Sequence, residues 1–143
     1  MSVRAILKVK GSDVVTVRTD TPAKEAVATM AREKIGSVVV TDDGKKVVGI
    51  LSERDIIRAL DKHGANLLTL TAGELMTLSV TTATIDMHIL DVLETMTAGR
   101  FRHMPVVENG RLAGMVSIGD AVKARLDMLE SETTQLKDYI GGR

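Results

Sequence analysis

Cysteine and tryptophan are absent from these 143 residues, and phenylalanine and tyrosine occur once each. Without cysteine there is no disulfide framework, no thiolate zinc site and no cysteine nucleophile. With so few rings, base-stacking platforms for single-stranded nucleic acid are all but excluded. Neither sign of charge is in excess, because 19 Lys and Arg face 19 Asp and Glu. A polyanion such as nucleic acid or an acidic membrane therefore finds no basic field. No stretch approaches the roughly 18 continuous apolar residues of a membrane span, and Met1 to Lys10 lack the apolar core of a secretion signal. What is present, 44% apolar and 27% charged residues, is an ordinary globular balance. The expectation is a soluble, cytoplasmic protein of one domain or two small ones, with no nucleic-acid or membrane partner.

The chain repeats itself at a period of about 65 residues. Asp13-Val14-Val15-Thr16-Val17 is echoed by Leu78-Ser79-Val80-Thr81-Thr82, and Glu25 to Met30 by Asp91 to Met96. Ile35-Gly36-Ser37-Val38-Val39-Val40 matches Phe101-Arg102-His103-Met104-Pro105-Val106. The closing segments match best: Gly49-Ile50-Leu51-Ser52-Glu53-Arg54-Asp55 against Gly114-Met115-Val116-Ser117-Ile118-Gly119-Asp120. One extra lysine, in Gly44-Lys45-Lys46 against Gly110-Arg111, falls where a hairpin turn tolerates insertion.

Each copy reads as strand, helix, strand, strand, helix. In the first, Val14 to Val17 is β-rich, and Thr21-Pro22 offers a helix cap with proline at the first helical position. Ala26, Val27, Met30 and Ala31 follow at helical spacing. Val38 to Val40 and Val47 to Leu51 are buried strands joined by Asp42-Asp43-Gly44, a hairpin signal matched by Glu108-Asn109-Gly110. Ser52 opens a helix with Ile56, Ile57 and Leu60 on one face. A short helical segment precedes each unit, Val3-Ile6-Leu7 for the first and Leu75-Met76 for the second. A unit this small buries little core alone, so the two should pack face to face about a pseudo-twofold axis with a cleft between them. The fold class is α+β, with predicted bounds 8–65 and 74–130 for the units and 131–143 for a C-terminal helical tail.

Ser52-Glu53-Arg54-Asp55 and Ser117-Ile118-Gly119-Asp120 carry the chemistry. As structure, each is a helix cap with an acid three residues on. As a site, the same carboxylate accepts two hydrogen bonds, which suits the vicinal hydroxyls of a ribose. Free amides and the serine hydroxyl at that helix start suit a phosphate. Two occurrences, each after a Gly-apolar strand, favour the ligand. The spacings of His63, His88 and His103 fit no metal motif, and no Ser-His-Asp grouping is readable. Val122, Leu126, Leu129, Thr133, Leu136 and Ile140 form a heptad seam that either folds back on its own domain or meets a second copy.

Two tandem units with these closing segments, the paired Val-Thr strands, the Met-ended helices and the Arg102-His103-Met104-Pro105-Val106 run resemble a pair of cystathionine-β-synthase (CBS) domains, the Bateman module. The resemblance covers about Met1 to Leu129; the first copy departs from it at Gly36-Ser37-Val38. It implies a cleft whose two sites each mix parts of both halves. Ser52, Arg54 and Asp55 would face Val80, Thr82, Phe101, Arg102 and His103, with Arg54, Arg102 and His103 as phosphate partners. Ser117, Gly119 and Asp120 would face Thr16, Thr21, Ile35 and Ser37, a weaker site because Gly36 and Ser37 bring no cation. The resemblance implies a regulatory protein, not an enzyme, that binds an adenine nucleotide (AMP, ADP, ATP, NAD(H) or the S-adenosylmethionine class) and needs no catalytic cofactor or metal. It also implies a homodimer stacked helix to helix and an effector protein outside this chain. The competing readings are a structural dimerisation module whose motifs are only caps, and an enzyme acting on a nucleotide.

Overall fold

The computed structural model describes residues 1–141; the predicted end of the tail at Gly142-Arg143 lies outside the described residues. Helix α1 spans Val3–Lys10, followed by strand β1 Thr16–Val17, helix α2 Ala23–Glu33, and strands β2 Ser37–Val40 and β3 Gly49–Ser52. Helix α3 Glu53–His63, a 3-10 turn Gly64–Thr69 and the one-turn helix α4 Ala72–Leu75 lead to the second unit. That unit consists of α5 Ile89–Gly99, β4 His103–Glu108, β5 Arg111–Ser117 and the long α6 Ile118–Gly141.

In the first unit β1 runs parallel to β2, pairing Thr16 with Val39 and Val17 with Val40, and β2 is antiparallel to β3. All four residues of β2 are buried, as its unbroken valine run requires of a central strand. In the second unit β4 and β5 form an antiparallel pair, and a single bridge from Ala83 to Val106 stands where β1 stands in the first. Val17 meets Val40 and Ala83 meets Val106, so Val17 corresponds to Ala83 and not to Thr82. The repeat read from the Val-Thr runs is thus one residue out of step, a slip that reverses which face each side chain occupies.

One of the two expected hairpins forms as read, while the other turn and one cap differ in kind. Asn109 and Gly110 both take positive φ, 53° and 76°, as a two-residue hairpin demands. The counterpart from 41 to 48 is a wide loop, in which the Asp43 carboxylate accepts from the backbone N–H groups of Lys45 and Lys46. At the start of α2, Pro22 is the N-cap itself and Thr21 turns back to accept from the Arg18 amide at 2.9 Å.

The short helices exchange places. Val3, Ile6 and Leu7 of α1 are buried with Ile89, Val92, Met96, Met104 and Val116, which is the core of the second unit. Ala72 and Leu75 of α4 and its C-cap Met76 pack with Val17, Met30, Val38 and Leu51, the core of the first. Backbone bridges hold both exchanges: Ser2, the N-cap of α1, pairs with His88, the N-cap of α5, and Thr71, the N-cap of α4, pairs with Pro22. Each segment that precedes a unit in the chain therefore completes the other one. This replaces the expectation that each belongs to the unit it precedes.

Helix α3 buries Asp55 and Ala59, leaves Ile56 half-buried and exposes Ile57 and Leu60, so the expected apolar face is mostly open. Helix α6 buries Ala121 and Ala124 and then leaves the body; every described residue from Leu129 onward is exposed. The tail does not fold back on its own domain.

Candidate functional site

Both Ser-x-x-Asp segments fold as capping boxes because each follows a strand directly into a helix. Ser52 Oγ accepts from the Asp55 amide, while Asp55 Oδ2 accepts from the Ser52 amide at 2.8 Å and the Ser52 hydroxyl at 3.0 Å. Ser117 and Asp120 exchange the same two bonds to backbone amides, at 3.1 and 2.9 Å. The cap and the proposed site are one geometry, since the box holds each carboxylate at a helix start beside a cleft.

The exchanged segments supply a further partner to each acid. Thr77, just past α4, donates its hydroxyl to Asp55 Oδ1 at 2.9 Å, and Arg58 reaches the same oxygen at 3.5 Å. At the other end, Lys10 closes α1 by donating to Asp120 Oδ2 at 2.6 Å and to the carbonyl of Met115 at 2.9 Å. Desolvation works against the charged form of Asp120, but the bonds from Lys10 and Ser117 outweigh it and hold its pKa below the usual carboxylate value.

Two cavities flank the pseudo-twofold axis. The larger, of about 440 Å³, is lined by Ser52, Arg54, Asp55, Val80, Phe101, Arg102 and His103. Of the residues expected to face each other here, the exposed Thr82 is not among the lining. Ser79, Thr81, Thr77, Arg58, Arg100 and Glu53 also line it, none of which was singled out from sequence. Four arginines against two carboxylates give it a positive balance. The smaller cavity, of about 340 Å³, brings together Ile35, Ser37 and Ser117 from the expected second set. Thr16, Thr21, Gly119 and Asp120 do not line it; Thr16 and Gly119 are exposed and Thr21 is spent on the Arg18 amide. Lys10 and Lys34 are its cations, and Asp13 is its acid.

The repeat explains where two of the cations come from. Lys34 and Arg100 are the C-caps of α2 and α5, both in the left-handed conformation with φ of 55° and 57°. A non-glycine residue there carries about 1–2 kcal/mol of backbone strain, and in both units the strained position sets a cation at a cavity. Lys34 against Arg100 was the signal in the sequence from which Arg100 could have been read. Arg54 donates to the carbonyl oxygen of Arg100, which ties α3 to the end of α5 across the cleft.

Gly36, Ser37 and His103 line both cavities and form the partition between them. The Ser37 hydroxyl is buried there with no hydrogen-bond partner among the described residues, an open polar group for whatever occupies either side. Burial lowers the His103 pKa below the usual imidazole value, which favours the neutral ring. Either form of the ring can hydrogen-bond to a phosphate. His88 caps α5 by accepting from the Leu90 amide. No helix among the described residues is long and apolar enough to cross a membrane.

Known proteins share the two-unit organisation of this chain. The family model of the CBS domain matches residues 4–62 and again 72–127. A CBS domain-containing protein of Arabidopsis thaliana, CBSX3, mitochondrial by its name, is 34% identical over 87% of the chain, which spans 62% of that relative's length. Among solved structures, a CBS-domain protein of Agrobacterium tumefaciens, ATU1752, superposes with a TM-score of 0.84 at 47% identity, covering 87% of this chain and 99% of that one. The CBS domain pair of protein MJ0100, solved with 5′-methylthioadenosine and S-adenosyl-L-methionine, superposes with a TM-score of 0.78 at 26% identity over 90% of this chain and 98% of that one.

Proposed function

The chain belongs to the CBS domain family, and from that premise we propose that it is a regulatory ligand-binding pair whose larger cavity holds an adenosine-containing nucleotide. One observation carries the reading: Asp55, at a helix start, lines a cavity with Val80 of the other unit and four arginines. A buried carboxylate suits a ribose diol, the apolar Val80 and Ile50 suit a base, and the arginines suit phosphates, which guanidinium groups grip bidentately. The adenosine compounds held by the MJ0100 pair support the same ligand class. AMP, ATP and NAD(H) all fit this description, and the number of phosphates each offers the arginines is what would separate them. The response would pass to an effector protein outside this chain.

The two cavities differ in cations, four arginines against two lysines, and this gives the test. Calorimetric titration with ATP should show one tight site whose affinity falls as salt is raised, because these arginines sit near solvent where ions screen them within about 10 Å at 0.1 M. Arg102→Ala should weaken that site and flatten its salt dependence. Two equal sites indifferent to salt would sink the assignment, and no heat with any adenosine compound would favour a purely structural module.

The assembly is a further part of the proposal. Ile57 and Leu60 on α3, Leu90 on α5, and Val122, Leu126 and Leu129 on α6 are exposed apolar residues on helices of both units. A second copy related by a dyad would cover such faces with the same faces of its own. Leu136 and Ile140 continue the seam of α6 beyond the body. Analytical ultracentrifugation at micromolar concentration should find a species of twice the chain mass. Truncation after Leu129 should raise its dissociation constant without abolishing it, and a monomeric full-length chain would end the idea.

A further inference from the structure

The pseudo-twofold axis relates Asp55 to Asp120, yet Asp55 lines its cavity and Asp120 does not. The difference lies in what the exchanged segments offer them. On one side Thr77 gives Asp55 a hydroxyl and leaves the carboxylate on the cavity wall. On the other, Lys10 donates to both Asp120 and the Met115 carbonyl, and Lys10 itself is part of the lining. Met115 corresponds to Ile50, which lines the larger cavity. One ammonium thus holds the Asp120 carboxylate, through the oxygen that also closes the cap, and itself lines the smaller cavity. Its bond to the carboxylate is charge-assisted on both partners, and a neutral ribose hydroxyl competes poorly with it.

We propose that Lys10 decides how many nucleosides the pair accepts, by standing between the smaller cavity and Asp120 and closing that cavity to a ribose. This rests on the reading of Asp55 as the ribose acceptor of the larger cavity. It makes a residue of α1, which precedes the first unit in the chain and packs on the second, the determinant of stoichiometry. A lysine held on one acid, against a threonine hydroxyl on the other, is what renders the two halves unequal.

The test is calorimetric titration with AMP of the full chain, its Lys10→Met and Lys10→Gln variants, and Lys10→Arg as the conservative control. The wild type and Lys10→Arg should take one AMP per chain. The Met and Gln variants should take two, with the first-site affinity unchanged within about twofold, which also reports that the fold is intact. One AMP in every protein, or two already in the wild type, overturns the role of Lys10 and leaves the larger site standing. Heat from the Met and Gln variants alone upholds Lys10 as the closure but moves nucleoside binding away from the Asp55 cavity. No heat from any of them overturns both.

Discussion

Asp55→Ala should weaken nucleotide binding by about 1.5–3 kcal/mol, the usual worth of hydrogen bonds to a charged group. The carboxylate already serves the fold, since it takes both the Ser52 amide and hydroxyl and the Thr77 hydroxyl, and it is 7% exposed. The same substitution should therefore lower stability by about 1 kcal/mol for the lost cap, with a further cost for stranding the Thr77 hydroxyl. A ligand-side change separates the two effects. In the wild type, 2′-deoxy-AMP should bind more weakly than AMP; in Asp55→Ala the two should bind alike, because the partner of the missing hydroxyl is already gone. That coupling is what a double-mutant cycle measures. Arg58, largely exposed and 3.5 Å from Oδ1, is the contact a ribose hydroxyl would displace most easily. If the mutant and the deoxy compound both bind like their parents, Asp55 is a cap and nothing more.

The duplication could be read because its punctuation is chemically strict. Gly49 with Gly114, Ser52 with Ser117, and Asp55 with Asp120 recur at one spacing, and Asn109-Gly110 supplies the positive φ values its turn needs. The exchange of α1 and α4 could not be read. An apolar face such as Val3-Ile6-Leu7 states that it will be buried but not by which of two similar cores. The one-residue misalignment of the first strands has a similar origin: Thr16–Val17 is two residues long, and its counterpart is a single bridge, so neither carries a period to fix a face. That is also where the site reading came apart, with Val80 on the larger cavity and Thr82 off it. Lys10 and Thr77 were invisible for a further reason. A lysine ending a helix complements the helix dipole wherever it occurs, and only the exchanged packing brings it to Asp120.

Alanine at Gly49 should cost about 3 kcal/mol of stability and alanine at Gly114 about 1, an inequality between two positions the repeat makes equivalent. Both glycines lie where an exchanged segment crosses a strand. The nearest neighbours of a Cβ on Gly114 would be the two Leu7 methyl groups, at 2.8 Å, and a leucine side chain can shift or change rotamer. A Cβ on Gly49 would lie 2.5 Å from Met76 Sδ and 2.9 Å from the carbonyl oxygen of Thr77. The thioether can swing aside; the carbonyl cannot, because it accepts from the Ile50 amide at 3.1 Å while the Thr77 amide donates back to Ile50 at 2.8 Å. Relief therefore means breaking that bridge, and each backbone bond is worth about 0.5–1.5 kcal/mol net. Urea denaturation with equal slopes for all three proteins would give the comparison directly. The consequence reaches the site as well. Moving the backbone of Thr77 carries its hydroxyl off Asp55, so Gly49→Ala should weaken nucleotide binding at the larger cavity while Gly114→Ala leaves it unchanged. Equal midpoints for the two variants would mean that the close crossing of Thr77 over β3 does not hold Asp55 in place.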